Sequence, residues 1–180
     1  MDFITKLENV LEPIEVSVKS KPHLRLAAVL IPVLRNEKKI LFTQRTQTVK
    51  HHKGQISFPG GRYDKSDGNV INTALRETKE EVGVSQDDIT LIGRLNPMTT
   101  ISRYYVIPFV GLLEDDIQVS INTLEVEHCF FASIEELMDP ENYLKGNFDG
   151  WNLPYYRYRG YKIWGITGQI LTDLFNRLRK

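Results

Sequence analysis

The stretch Gly60 to Val84, GGRYDKSDGNVINTALRETKEEVGV, decides how the rest of this chain is read. Its second half spaces Glu77, Glu80 and Glu81 three and four residues apart. On an α-helix those spacings stack the three carboxylates on one face. Like charges so placed weaken a helix by a few tenths of a kcal/mol, roughly 0.2–0.5. The cluster is therefore either solvated or neutralised by a cation. Ile71, Leu75, Thr78 and Val82 form the stripe expected to pack on a sheet. Leu75 and Glu77 lie about 200° apart at the helical period, so the carboxylates are expected to point away from the core. Thr73 and Ala74, one turn earlier on the acidic face, are small enough to admit a ligand, and Gly83 is placed to cap the helix.

Carboxylate oxygens suit a hard divalent cation, Mg²⁺ or Mn²⁺, and such ions usually bring substrate phosphates with them. A wet helix face is the alternative. Pro59-Gly60-Gly61, just upstream, favours the ion, because glycines let the backbone approach a ligand and expose carbonyls to it.

These residues resemble the Nudix box, G-x5-E-x7-R-E-U-x-E-E-x-G-U with U a bulky apolar residue. Gly61, Arg76, Glu77, Glu80, Glu81, Gly83 and Val84 fall into place. Two departures are plain. The first acidic position is Asp67, with one extra residue between it and Arg76, and Thr78 stands where an aliphatic residue is usual.

Residues 41–61, LFTQRTQTVKHHKGQISFPGG, alternate basic and polar groups before a short strand, Gln55 to Phe58, that delivers the glycines. Arg45, Lys50, His51, His52 and Lys53 would suit a solvated loop. Beside a metal site they suit phosphate clamps, since guanidinium forks match phosphate oxygens. Adjacent histidines with no Cys or His partner at ligand spacing argue against zinc. The segment resembles the signature L-L-T-x-R-S-x3-R-x3-G-x3-F-P-G-G of coenzyme A diphosphatases within the Nudix family. Leu41, Thr43, Arg45, Gly54, Phe58, Pro59, Gly60 and Gly61 match, while Phe42, Thr46 and Lys50 are conservative replacements. Lys50 keeps the charge but loses the bidentate fork.

Composition narrows the class. A chain of 180 residues fits one domain, 1–180, with a substantial core. Lys plus Arg and Asp plus Glu both total 23, so no global field recruits nucleic acid or an anionic membrane, and phosphate recognition must be local. The one cysteine, Cys129, excludes an internal disulfide and, within an apolar run, reads as a buried thiol. No signal pattern, membrane span or peroxisomal tripeptide is seen, so the expected location is cytoplasmic.

In chain order, 1–22 read as an amphipathic helix and lead-in, with Phe3, Ile4, Leu7, Val10 and Leu11 docking on the domain or on the second subunit of a homodimer. Runs 26–34 and 39–44 form a hairpin, and Pro32 suggests an edge strand or bulge. Asp64 to Asn69 is a turn in which Asp67 or Asn69 caps the carboxylate helix, not a calcium loop, since the ligand positions fail. Strands at 89–95 and 104–112 are joined by a polar connection carrying Arg103, long enough to line a substrate mouth. A strand over about 125–131 begins at Glu125-Val126-Glu127, a short helix covers 133–138, and a hairpin turns at Arg159-Gly160. Aromatic residues interleaved with Arg157 and Arg159 are read as packing in a neutral chain, not as a nucleic-acid surface. Ile163 to Thr167, IWGIT, before a last amphipathic helix also looks like the C-terminal segment of coenzyme A diphosphatases.

The resemblance implies an α/β fold, the Nudix α/β/α sandwich, with a mixed β-sheet between the box helix and the C-terminal helix. It implies hydrolysis of the diphosphate of coenzyme A or acyl-coenzyme A, dependent on Mg²⁺ or Mn²⁺. Glu77, Glu80, Glu81 and the Gly60 carbonyl would hold metal, and Arg76 would orient a glutamate. A box glutamate or a further one, Glu125 before Glu127, would activate water. Arg45, Lys50, His52 and Lys53 would meet the substrate phosphates. A Nudix hydrolase for ADP-ribose, NADH or nucleoside triphosphates is the second reading. A non-catalytic nucleotide sensor is the third, and the intact carboxylates weigh against it.

Overall fold

The computed structural model describes residues 2–15, 23–46, 54–148 and 150–180. In chain order the elements are α1 (Phe3–Asn9), β1 (Arg25–Leu34), β2 (Lys39–Arg45), β3 (Ile56–Ser57), β4 (Gly60–Arg62) and α2 (Val70–Val82). There follow β5 (Thr90–Arg94), β6 (Met98–Thr99), β7 (Tyr104–Leu113), β8 (Val126–Ser133) and α3 (Ile134–Met138). The chain closes with β9 (Tyr143–Phe148), β10 (Trp151–Tyr158), β11 (Tyr161–Ile163) and α4 (Gly165–Leu178).

The main sheet is built on β1 and β7, two apolar strands lying parallel from Arg25 beside Tyr104 to Leu34 beside Leu113. Burial on both faces suits such continuous apolar runs. The remaining pairings are antiparallel: β2 and β4 on β1, β3 and β8 on β2, β5 and β6 on β7. The sheet is mixed, as expected. Alternation along β1 sends Ala28, Leu30 and Leu34 toward α2. Ala27, Ile31 and Val33 face the opposite layer, where Ile170, Leu171, Leu174 and Phe175 of α4 pack. The sheet thus lies between the box helix and the C-terminal helix, an α/β/α sandwich. A second sheet, β9–β10–β11, supports α4, with the Tyr156 ring edge-on to Phe175 at 5.6 Å.

Pro32 does not mark an edge. It sits within β1, beside Gly111 of β7. On the other side of β1, β4 pairs with residues 27–29 and β2 meets Val33. The Leu30 amide on that side bonds the Pro59 carbonyl. By alternation Pro32 presents its missing N–H to the gap between those two partners, where no ladder bond is lost. The Arg35–Lys38 hairpin, the helix near 133–138 and the Arg159-Gly160 turn stand as expected. The connection after β5 folds back as β6 against β7, and Arg25 donates to the Ser102 carbonyl at 3.0 Å.

The N-terminal helix docks on its own chain. Asp2 caps it by accepting from the Ile4 and Thr5 amides at 3.0 and 3.1 Å. Leu7 is fully buried, and Arg177 of α4 donates to the Val10 carbonyl at 2.9 Å. Of the lead-in, residues 16–22 lie outside the described residues.

Candidate active site

Helix α2 places the carboxylates, and its ends fix its register. The Asn69 side chain accepts from the Asn72 amide at 2.9 Å, so Asn69, not Asp67, is its cap. At the other end Gly83 takes the left-handed conformation, φ 73°, that glycine adopts without strain.

The helix is rotated from the expected stripe. Its buried face carries Val70, Thr73, Ala74, Thr78, Glu81 and Val82, while Ile71 and Leu75 are only partly buried. Thr78 is accommodated because its hydroxyl donates to the Ala74 carbonyl at 2.7 Å. Two of the three carboxylates consequently do not point away from the core. Glu81 is only 2% exposed, and Glu77 lies against the glycine strand β4. A Cβ at Gly61 would sit 2.4 Å from a Glu77 carboxylate oxygen, and one at Gly60 would sit 2.4 Å from the Ala28 carbonyl. Gly60 is required by close backbone approach, while Gly61 leaves the space that the Glu77 carboxylate occupies. Glu80 alone turns outward, its side chain 52% exposed.

Asp67 and Arg76 organise this face. The extra residue between them is absorbed by a 3₁₀ turn at Lys65–Asp67 and by Gly68, φ 72°. The turn carries the shorter Asp67 side chain to Arg76, whose Nε donates to it at 2.7 Å and Nη2 at 3.2 Å. The Thr73 hydroxyl and the Asp64 amide donate to the same carboxylate at 2.7 and 3.1 Å. The hydrogen-bonded Arg76 guanidinium holds the Asp67 carboxyl down at about 2, against the cost of burial. From this anchor Arg76 Nη1 reaches Glu77 at 2.8 Å and Glu80 at 2.9 Å. From spacing alone Asp67 is either a cap of the carboxylate helix or the acidic position of the box. The signal for its real partner was the box spacing itself, blurred by the inserted residue.

Burial raises the Glu77 carboxyl, offset by Arg76 and reinforced by the charges of Glu80 and Glu125. Glu81 rises further, to about 8, chiefly through burial. Arg45 and the Gly60 amide oppose that rise, and Glu77 and Glu125 add to it. Glu125 precedes β8 close enough for its charge to reach both glutamates, and its carbonyl accepts from the Thr46 amide at 3.0 Å. Glu127, within β8, is exposed.

Arg45 ends β2 with its Nη1 3.4 Å from Glu81. Lys50, His52 and Lys53 lie outside the described residues. Among the described residues no three carboxylate, histidine or cysteine groups converge closely enough to hold an ion as they stand, and Glu80 is paired with Arg76. The donor chemistry nevertheless fits a divalent cation. Glu81 Oε2 is buried without a hydrogen-bond partner, and the ion pair that Glu81 makes with Arg45 is long at 3.4 Å.

Comparison with known proteins identifies the family and the fold. The NUDIX domain model matches residues 24–154. A protein of Photorhabdus laumondii, named as an uncharacterized Nudix hydrolase NudL, is 31% identical over 99% of this chain and 97% of its own. A Yersinia pestis protein of the same name is 37% identical over 83% of this chain and 78% of its own. Among solved structures, the NUDIX domain of Shewanella oneidensis NrtR, complexed with ADP ribose, aligns over 99% of both chains at TM-score 0.59 and 15% identity. A Caenorhabditis elegans Ap4A hydrolase covers 61% of this chain, and 80% of its own length is covered, at TM-score 0.52 and 19% identity. The solved structures share the overall fold, and the chain belongs to the Nudix family. It is a hydrolase of pyrophosphate bonds in nucleoside diphosphate derivatives. No described helix is long and apolar enough to cross a membrane.

Proposed function

We propose that this Nudix hydrolase cleaves the diphosphate of coenzyme A or an acyl-coenzyme A, releasing adenosine 3′,5′-bisphosphate and (acyl-)4′-phosphopantetheine, with Mg²⁺ or Mn²⁺ and in the cytoplasm. The observation that carries it is the pairing of Arg45 with Glu81. It joins the coenzyme A-type run at 41–61 to the carboxylate helix in one place, so the segment that marks the substrate class abuts the groups that do the chemistry.

Glu77, Glu80, Glu81 and the Gly60 carbonyl would hold the cation, which requires Glu80 to leave Arg76. When bound, such a cation neutralises charge on the diphosphate, polarises the phosphoryl group and lowers the pKa of water. The chain's own groups do the rest. Asp67 fixes Arg76, and Arg76 orients Glu77. Glu125, or a box glutamate freed by the rearrangement, accepts the proton of the attacking water. Water attacks one phosphorus, the bridging P–O bond breaks, and the second phosphate leaves with the electron pair. Arg45 meets the phosphates, joined by Lys50, His52 and Lys53.

The test is purified protein with Mg²⁺ or Mn²⁺ against coenzyme A, dephospho-coenzyme A, ADP-ribose, NADH and dGTP, with products identified. Coenzyme A or its acyl forms should turn over fastest and yield the two named products. Preference for ADP-ribose, NADH or dGTP would overturn the substrate assignment. Equal turnover in EDTA would overturn the metal chemistry.

A further inference from the structure

Two buried polar atoms of the Arg45–Glu81 pair have no hydrogen-bond partner. Glu81 Oε2 accepts nothing, and Arg45 Nε donates to nothing. The bond that does join the side chains, Arg45 Nη1 to Glu81 Oε1, is long at 3.4 Å. A guanidinium fork and a carboxylate normally meet through two short parallel bonds. This pair is an approximate fit between groups shaped for other partners. The neighbouring Arg76 is different, since it is saturated by Asp67, Glu77, Glu80 and the Arg62 carbonyl.

The root of Arg45 cannot move with its tip. Its amide bonds the Gln55 carbonyl and its carbonyl accepts from Gly54, both at 3.0 Å, and the next amide, Thr46, is tied to Glu125. Four side-chain torsions remain free, and the side chain is 26% exposed, so its outer edge already meets solvent. A divalent cation seated on Glu81 would repel a guanidinium at this range and outbid its single charge. Displaced, Arg45 would need an acceptor for Nε and both Nη groups, and a phosphate supplies one in matching geometry.

We infer that Arg45 is a stand-in counter-ion for Glu81, released toward the substrate's phosphate when a divalent cation takes its place. Metal loading and phosphate gripping are thereby coupled through one side chain. Arg45 acts as a positioning residue in the unloaded protein and a phosphate ligand in the loaded one. The inference rests on the metal reading above, not on coenzyme A as substrate.

The experiment therefore uses the cation alone. The intact protein is treated with phenylglyoxal, and modification of Arg45 is followed by peptide mass spectrometry with and without Mg²⁺, with Arg25 and Arg103 as controls. Mg²⁺ should speed Arg45 modification several-fold and leave the controls unchanged. Methylenediphosphonate added with Mg²⁺ should slow it again. In Glu81→Gln, Arg45 should react fast without metal and ignore Mg²⁺. The wild-type comparison stands even if that variant misfolds. Mn²⁺ binding followed by electron paramagnetic resonance shows whether the site loads. Arg45 equally or less reactive in a loaded site would overturn the exchange, while no Mn²⁺ binding would remove both this inference and the metal reading.

Discussion

At the scale of single residues, the site is a set of charges held in unfavourable surroundings by named neighbours. Glu81 illustrates the consequence for pH. Its folded-state pKa is raised to about 8 from 4.5, so its contribution to stability is intact below pH 4.5 and is lost as pH rises through about 8. Metal-free protein in EDTA should therefore melt at lower temperature as pH climbs through that window. Mg²⁺ should restore the loss at the alkaline end. Glu81→Gln should flatten this pH dependence, and an unchanged slope in melting curves would count against the buried charge. Gly61 gives a second case. The Cβ of Gly61→Ala would collide with the Glu77 carboxylate, the movable end of a flexible side chain. The fold should survive within about 1 kcal/mol, while displacement of Glu77 should cut turnover at least about tenfold, roughly 1.4 kcal/mol in the barrier. Denaturant titration and steady-state kinetics on the same preparation separate the two effects.

At the scale of elements, α2 shows what periodicity can and cannot assign. Its extent, its cap at Gly83 and the spacing of its glutamates were all legible, because they depend on local geometry. Its rotation was not. A stripe through Ile71, Leu75, Thr78 and Val82 places every carboxylate in solvent, whereas the helix buries Thr73, Ala74 and Glu81 beside Thr78 and Val82 and leaves Ile71 and Leu75 only partly buried. The reason is that β4 opens with two glycines. With no side chains at Gly60 and Gly61, the helix approaches closely enough to set Glu77 and Glu81 against backbone. The C-terminal cap also serves a neighbour. The Ser120 and Asn122 amides bond the Val82 and Glu81 carbonyls at 2.9 Å, leading the chain toward Glu125. Gly83→Ala forces a left-handed residue to carry a Cβ 3.0 Å from the Ser120 carbonyl. It should cost about 1–2 kcal/mol in stability. It should also lower turnover by shifting Glu125, whereas stability loss with unchanged kinetics would detach that loop from the chemistry.

At the scale of the molecule, the sandwich is closed by contacts far apart in sequence. Arg177 near the C-terminus bonds Val10 and Glu12 near the N-terminus, and Leu7 enters the core beneath α4. Leu7→Ala should destabilise by roughly 2–5 kcal/mol through the cavity it leaves, with KM unchanged because the site lies on the other face of the sheet. A change in KM would show that the two faces communicate. Most element types and the oxygen-donor character of the acidic cluster were legible from spacing and residue chemistry, and the motif resemblance pointed to the family. The role of Pro32, the anchoring of Arg76 by Asp67 and the meeting of Arg45 with Glu81 were decided only by the tertiary structure. Each depends on where two separately predictable segments come to lie, and that is set by strand pairing and close backbone approach, which no local pattern encodes.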